Sequence, residues 1–242
     1  MTPDTLPALV ARWAEQNADK TWLRDLHEDG SEDYSWGQAH EQISTIGAML
    51  EQRFGQGEKM VVLSRNRAHW VMADLAIIAS GNVTVSMFTT LPGPTAEYIF
   101  ELTEAKVIFV GETSNWDQIT AVLPPDILLV TLPGVELEQP HEKWEDLLAQ
   151  YAGQALQYQC QPDDMISLVF TSGTTGMPKG VIQTHNTNLI PIRRFTALFG
   201  LAESPRYFSY LPLSHIAERQ IVEFSSIVLG GEIFFNEAMD KL

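Results

Sequence analysis

The stretch Phe170-Thr171-Ser172-Gly173-Thr174-Thr175-Gly176-Met177-Pro178-Lys179-Gly180-Val181 decides how this chain is read. It holds three glycines, four hydroxyl side chains and one lysine. The apolar run Met165-Ile166-Ser167-Leu168-Val169-Phe170 leads in, and Val181-Ile182 leads out. A phosphate needs donors that approach closely from several directions. Glycine lets backbone N–H groups crowd an anion, because it has no Cβ and tolerates positive φ. Successive N–H groups in such a turn form an anion-binding concavity. Thr171, Ser172, Thr174 and Thr175 add hydroxyl donors, and Lys179 adds a mobile point charge. Each charge-assisted hydrogen bond contributes roughly 1.5–3 kcal/mol, so a few together hold a polyphosphate tail. The spacing is not that of a Walker A loop, which requires Gly-Lys-Ser/Thr where this chain has Gly176-Met177-Pro178-Lys179-Gly180. Pro178 also removes a donor and disfavours a helix through the loop. The same composition describes a polar hairpin loop between two strands, and the residues alone leave both readings open.

Upstream of this stretch, short apolar runs alternate with helical patterns. Met60-Val61-Val62-Leu63, Val83-Thr84-Val85, Lys106 to Val110 and Ile127 to Val130 read as strands. Helices are expected between them, opened by Asn66, by Thr95 and near Asp117. Such alternation predicts an α/β fold with largely parallel, doubly wound sheets, and strands apolar throughout predict burial on both faces. Ahead of this region, Asp4 or Thr5 is expected to cap a first helix, and Asp29-Gly30 turns a hairpin between Trp22-Leu23 and Tyr34. Ser35 and Gln38 have capping-box spacing for a long helix ended by Gly55. Leu132 to Lys143 is rich in Pro, Gly and Glu and reads as a surface loop or a subdomain joint; with the polar connection Gly153 to Asp164 such a joint would fall near 132–164.

Downstream, a helix is expected from His185 or Asn186 to Phe199, stopped by Gly200. Tyr207 to Tyr210 reads as a strand, and Ser214 as the cap of a helix to Leu229. The run Tyr210-Leu211-Pro212-Leu213-Ser214-His215-Ile216-Ala217-Glu218-Arg219 therefore sits at a strand end, where open α/β sheets gather ligands. On its own, His215 reads equally as a packing or surface residue, and Glu218 with Arg219 as a structural pair.

The segment FTSGTTGMPKGV resembles the signature of the adenylate-forming superfamily of acyl-CoA synthetases, luciferases and peptide-synthetase adenylation domains. PLSHIAER resembles the second core motif of the long-chain fatty-acid type. Residues 61–110 and the opening Tyr34-Ser35-Trp36 extend the likeness over most of the chain. The resemblance implies that Thr171, Ser172, Gly173, Thr174, Thr175, Gly176 and Lys179 hold the β- and γ-phosphates of ATP. It implies that His215 lies beside the acyl carboxylate and adenylate. It further implies ATP with Mg²⁺ and CoA as co-substrates, in activation of a fatty acid to acyl-AMP and then to a thioester. The fold it implies is a layered sandwich, here the N-terminal portion of an adenylation domain over residues 1–242. Family members continue past this point with Mg²⁺, ribose and catalytic-lysine sites. A piece of a longer gene product, inactive alone, is therefore the expectation. A non-catalytic nucleotide-binding chain, a fatty-acyl-AMP ligase and a carboxylic acid reductase stay open as alternatives.

The 242 residues include 31 acidic and 15 basic side chains, a formal net charge of −16. Such a surface repels nucleic acid and anionic membranes, while ATP binding depends on local donors. Peripheral membrane contact and oligomeric state are left open. Cys160 is the only cysteine, which excludes an intramolecular disulfide and fits a reducing cytoplasm. The start shows no secretory pattern, and no run of 18 apolar residues occurs. The six histidines show no zinc-site spacing with Cys160, and no Gly-x-Ser-x-Gly elbow is present.

Overall fold

The computed structural model describes residues 4–171 and 178–236. The chain opens with α1 (Leu6–Gln16), the hairpin β1 (Thr21–His27) and β2 (Gly30–Ser35), and the long α2 (Trp36–Phe54). Strand and helix then alternate through β3 (Lys59–Leu63), α3 (Ala68–Ala79), β4 (Val83–Met87), α4 (Gly93–Thr103), β5 (Val107–Val110), α5 (Trp116–Thr120) and β6 (Leu128–Thr131). The short β7 (Glu142–Lys143) and α6 (Trp144–Gln150) precede the hairpin strands β8 (Met165–Thr171) and β9 (Lys179–Thr184). After it come α7 (His185–Phe199), β10 (Arg206–Ser209), a helical run over residues 216–229 and β11 (Glu232–Asn236).

Seven strands form one sheet in the order β7-β6-β5-β3-β4-β8-β9. All neighbours are parallel except β9, which runs antiparallel to β8. A four-stranded sheet, β10-β11-β1-β2, is parallel apart from β2. Successive side chains of a strand point to opposite faces, and here both faces are dry. Met60 and Val62 enter a core shared with α2, α3 and the smaller sheet. Val61 and Leu63 enter a second core with α4 and α5. This two-sided burial is why the sequence shows unbroken apolar strands. The helix between the sheets, α3, is buried at every one of its residues.

The caps divide into local and distant ones. Ser35 and Gln38 form the expected capping box on α2, and Gly55 at φ 74° ends it. Thr184 and Thr187 do the same for α7, with left-handed Gly200 as the stop. The caps expected elsewhere are displaced. Thr5 occupies the N-cap position of α1 without a side-chain bond. Instead Leu6 N donates to Nδ1 of His185, 3.1 Å away and 179 residues on. Burial lowers the His185 pKa to about 4, so the imidazole is neutral and free to accept. Helix α3 starts at Ala68 rather than Asn66, and its first N–H donates to Asp25 Oδ1 of β1 at 2.9 Å. Helix α4 starts at Gly93, which places Thr95 inside it.

Burial pushes the Asp25 carboxyl up to about 6, against the opposing hydrogen bond from Ala68 and the charge of Arg67. The folded state therefore binds this proton more tightly than the unfolded state. Its contribution to stability is complete at low pH and is lost as pH rises through 6. Asp25→Asn keeps the oxygen that accepts from Ala68 and removes the charge. Its melting temperature is expected to match the parent near pH 4 and to exceed it by on the order of 5 °C at pH 8. Parallel melting curves across that range would contradict the assignment.

Candidate functional site

The larger sheet reverses its winding at β3. The chain steps from β3 to β4 on one side, then crosses back past β3 to β5 and moves outward through β6 and β7, before β8 and β9 extend the β4 side. At such a switch point the crossovers leave to opposite faces, and a crevice opens at the carboxyl ends of the strands. A cavity of about 340 Å³ lies there, lined among others by Ser64 and Asn66 after β3, Phe88 after β4, Glu112 after β5, and Tyr210 and Ser214 after β10. A neighbouring hollow of about 370 Å³ begins at the same Phe88 and is lined by Ser86, Met87, Phe170, Thr171 and Pro178.

Because β8 is parallel to β4, its last residue lies at this same edge. Thr171 pairs with Lys179 as the final rung of the β8–β9 hairpin, and both residues are exposed. Ser172, Gly173, Thr174, Thr175 and Gly176 lie outside the described residues. The polar-hairpin reading and the phosphate reading thus name one place. The stretch does join two antiparallel strands, and it does so at the carboxyl edge beside the crevice.

His215 is exposed at the N-cap of the helical run. Its Nδ1 accepts from Ala217 N at 3.2 Å, so in the neutral ring the proton sits on Nε2. This corrects the expectation that Ser214 caps the run. The run is also not a single α-helix: α8 (Ile216–Glu218) passes into a π-helical turn over Arg219–Phe224 and then α9 (Ser225–Leu229). Ser214 instead lines the cavity, and its carbonyl accepts from Ser86 Oγ at 3.4 Å. Ser86 also lines the hollow below Thr171, so β4 is the bridge between the hairpin and the His215 turn.

Two groups of residues hold this edge in place without having been marked as site residues by the sequence. Asn66 donates to Ser209 Oγ at 2.9 Å and to Leu211 O at 2.6 Å, and its Oδ1 accepts from Leu213 N at 2.8 Å. One amide therefore fixes the turn leading to His215. Glu218 Oε1 accepts from Ser209 Oγ at 2.8 Å and Tyr210 N at 3.0 Å, and burial raises its pKa against those bonds. Arg219 points away from Glu218 into the interior, where it meets Asp74 and Glu223. Glu218 and Arg219 are structural, as expected, but they do not pair with each other. The available signal was an Asp in a fully apolar helix and an Arg-Glu spacing of four in another apolar run.

Among the described residues, no group of three His, Cys, Asp or Glu side chains is placed to hold a metal ion, and no helix is long and apolar enough to cross a membrane.

The fold and crevice define an α/β protein with a cavity at the switch point of a doubly wound sheet. The chain belongs to the AMP-binding enzyme family, whose model matches residues 10–241. Fatty acyl-CoA synthetase A of Dictyostelium discoideum is 30% identical over 245 residues, covering 91% of this chain and 36% of the relative. Long chain acyl-CoA synthetase 5 of Arabidopsis thaliana is 30% identical over 202 residues, covering 74% of this chain and 30% of the relative. The chain thus spans about a third of these relatives' length. Acetoacetyl-CoA synthetase from Streptomyces lividans superposes with a TM-score of 0.83 at 21% identity, over 97% of this chain and 39% of that one. A fatty acid AMP ligase from Legionella pneumophila gives 0.77 at 18% identity, over 96% and 40%. The fold is therefore that of the adenylate-forming enzymes.

Asn66→Ala leaves the N–H of Leu213 and the carbonyl of Leu211 without their partner. Unsatisfied groups of this kind cost about 1–3 kcal/mol. A melting temperature lowered by several degrees is expected, with faster amide exchange at residues 211–215; unchanged exchange there would remove Asn66 as the fixing group.

Proposed function

We propose that this chain forms the phosphate-binding and acyl-facing part of an AMP-forming ligase that activates a fatty acid, with long-chain acids as the preferred class. The observation that carries the reading is the position of the Gly/Ser/Thr-rich hairpin turn. It starts and ends at the carboxyl edge of a parallel sheet, beside the crevice at the switch point. Relatives named as acyl-CoA synthetases support the substrate class.

In this reading the β- and γ-phosphates of Mg·ATP sit against the backbone of residues 172–177. Thr171, Ser172, Thr174 and Thr175 give hydroxyl donors, and Lys179 gives the charge. The fatty-acid carboxylate oxygen attacks the α-phosphorus, the bond to the bridging oxygen breaks, and pyrophosphate leaves. The CoA thiol then attacks the acyl carbon of the acyl-AMP, and AMP departs. Catalysis of such transfer is mostly positioning and charge stabilisation. The loop supplies both for pyrophosphate, whose negative charge grows as the bond breaks. His215, with its Nδ1 engaged and Nε2–H turned to other use, contacts the acyl carboxylate and adenylate.

The reading for the 242-residue chain alone is ATP binding without turnover, favoured by its span of about a third of the relatives. Titration with Mg·ATP, followed by tryptophan fluorescence or calorimetry, is expected to saturate. Lys179→Ala and Thr174→Ala are each expected to weaken binding roughly 10–100-fold, the loss of one charge-assisted bond. Unchanged affinity in both variants would remove the loop from the site. Incubation with ATP, fatty acid and CoA is expected to give no acyl-CoA; its formation would overturn the binding-only reading.

A further inference from the structure

Arg219 is fully buried among three elements. Its Nη1 donates to Ser167 Oγ of β8 at 2.7 Å, its Nη2 to Asp74 Oδ2 of α3 at 2.5 Å, and its Nε to Glu223 Oε2 at 3.3 Å. Ser167 Oγ extends the chain of bonds to Thr84 O of β4 at 3.0 Å. The guanidinium lies 5.5 Å from the Trp70 ring centre and 5.0 Å from that of Phe224. The residue also begins the π-helical turn, a distortion found most often where a helix is bent to a task.

We infer that Arg219 is a positioning residue, a dry clamp that ties the strand entering the glycine-rich hairpin to the helical run that His215 caps. Three bonds in one planar fork fix orientation as well as distance, which a lysine cannot do. Ser167 is four positions before Thr171, and Arg219 is four positions after His215. The two candidate site elements therefore share one rigid joint.

The charge state follows from the same geometry. One guanidinium faces two carboxyls, all three side chains are fully buried, and among the described residues Asp74 Oδ1 and Glu223 Oε1 receive no hydrogen bond from any other group, while burial, and with it a hydrogen bond between the two carboxyls, raises the Glu223 pKa. An uncompensated negative charge in a dry site is removed by protonation. Glu223 takes the proton. Its burial, and then the Asp74 carboxylate, push it well above the usual carboxylate range against the pull of Arg219. The charged groups facing Glu223 are Asp74 from α3 and Arg219 from its own run. Arg219 stays a cation: burial pulls its pKa down, but the Asp74 carboxylate and the hydrogen bonds to Asp74 and Glu223 hold it up. The folded state thus keeps a proton that the unfolded chain releases at the ordinary glutamate value. That contribution to stability is complete at low pH and is lost as pH rises.

The effect of the clamp on ATP rests on reading the hairpin as a phosphate site; the clamp itself does not. Glu223→Gln reproduces the neutral acid. Its melting temperature is expected to match the parent near pH 4 and to exceed it increasingly towards pH 9. Ser167→Ala cuts the clamp's link to β8, and with it the bond to Thr84 O, and leaves the Arg219 bonds to Asp74 and Glu223 in place. Amides of β8 and β9 are expected to exchange about tenfold faster, with those of α3 unchanged. Half-saturating Mg·ATP is expected to rise about fivefold in the same variant, a modest share of one such bond. Ser167→Thr, which keeps the hydroxyl, is expected to restore both readouts. A constant offset between Glu223→Gln and the parent over the whole pH range overturns the charge assignment. Unchanged β8 and β9 exchange in Ser167→Ala overturns the clamp. If the parent binds no Mg·ATP, the phosphate reading falls, while melting and exchange still decide the clamp.

Discussion

Everything in this molecule depends on one constraint: parallel strands must return over their own sheet, so helices cover both faces and leave only the strand ends open. Val61 and Val62, neighbours in sequence, lie in two different hydrophobic cores. With both faces of the central strands β3, β4 and β5 dry, the carboxyl edge is where these strands leave room for a polar ligand. The reversal at β3 opens that edge, and the smaller sheet roofs it with the end of β10. The hairpin β8–β9 then brings the most donor-rich part of the chain to the same place.

Burying so much of the chain creates a second problem, the helix ends and charges left inside. They are met by partners far away in sequence. His185 accepts from the start of α1, Asp25 from the start of α3, and Arg219 joins α3 to β8 and to the π-helical turn. These contacts are few, directional and dry, so each fixes a relative position that apolar packing alone leaves adjustable. Asn66 performs the same service at the surface, gathering Ser209, Leu211 and Leu213 onto one amide. The polar interior is therefore concentrated where strand ends and helix starts converge on the crevice.

Much of the fold was legible from the residues. Unbroken apolar strands, the Ser35–Gln38 box and the glycines at 55 and 200 are local signals, and each acts locally in the structure. What failed were caps assigned to the nearest suitable side chain: Asn66, Thr95 and Ser214 stand near helix starts, yet other residues occupy the N-cap positions. A helix end buried against another element can take its cap from that element, and no sequence window spans the 179 residues between Leu6 and His185. The candidate site was legible as composition and as resemblance. Its partners were not, because Asp74 and Arg219 meet only once two apolar segments have packed together. Their traces were an acid in a mostly apolar helical stretch and the Arg219–Glu223 spacing of four.

The central claim is that the turn between Thr171 and Lys179 cradles the phosphate tail of a nucleotide at the open edge of the sheet. A crystal structure of the chain soaked with Mg²⁺ and a non-hydrolysable ATP analogue tests it most directly. The account predicts β- and γ-phosphate oxygens within hydrogen-bonding distance of the backbone amides of residues 173–176, with Lys179 alongside. An analogue seated elsewhere, with those amides spent on extending the β8–β9 ladder, would contradict it.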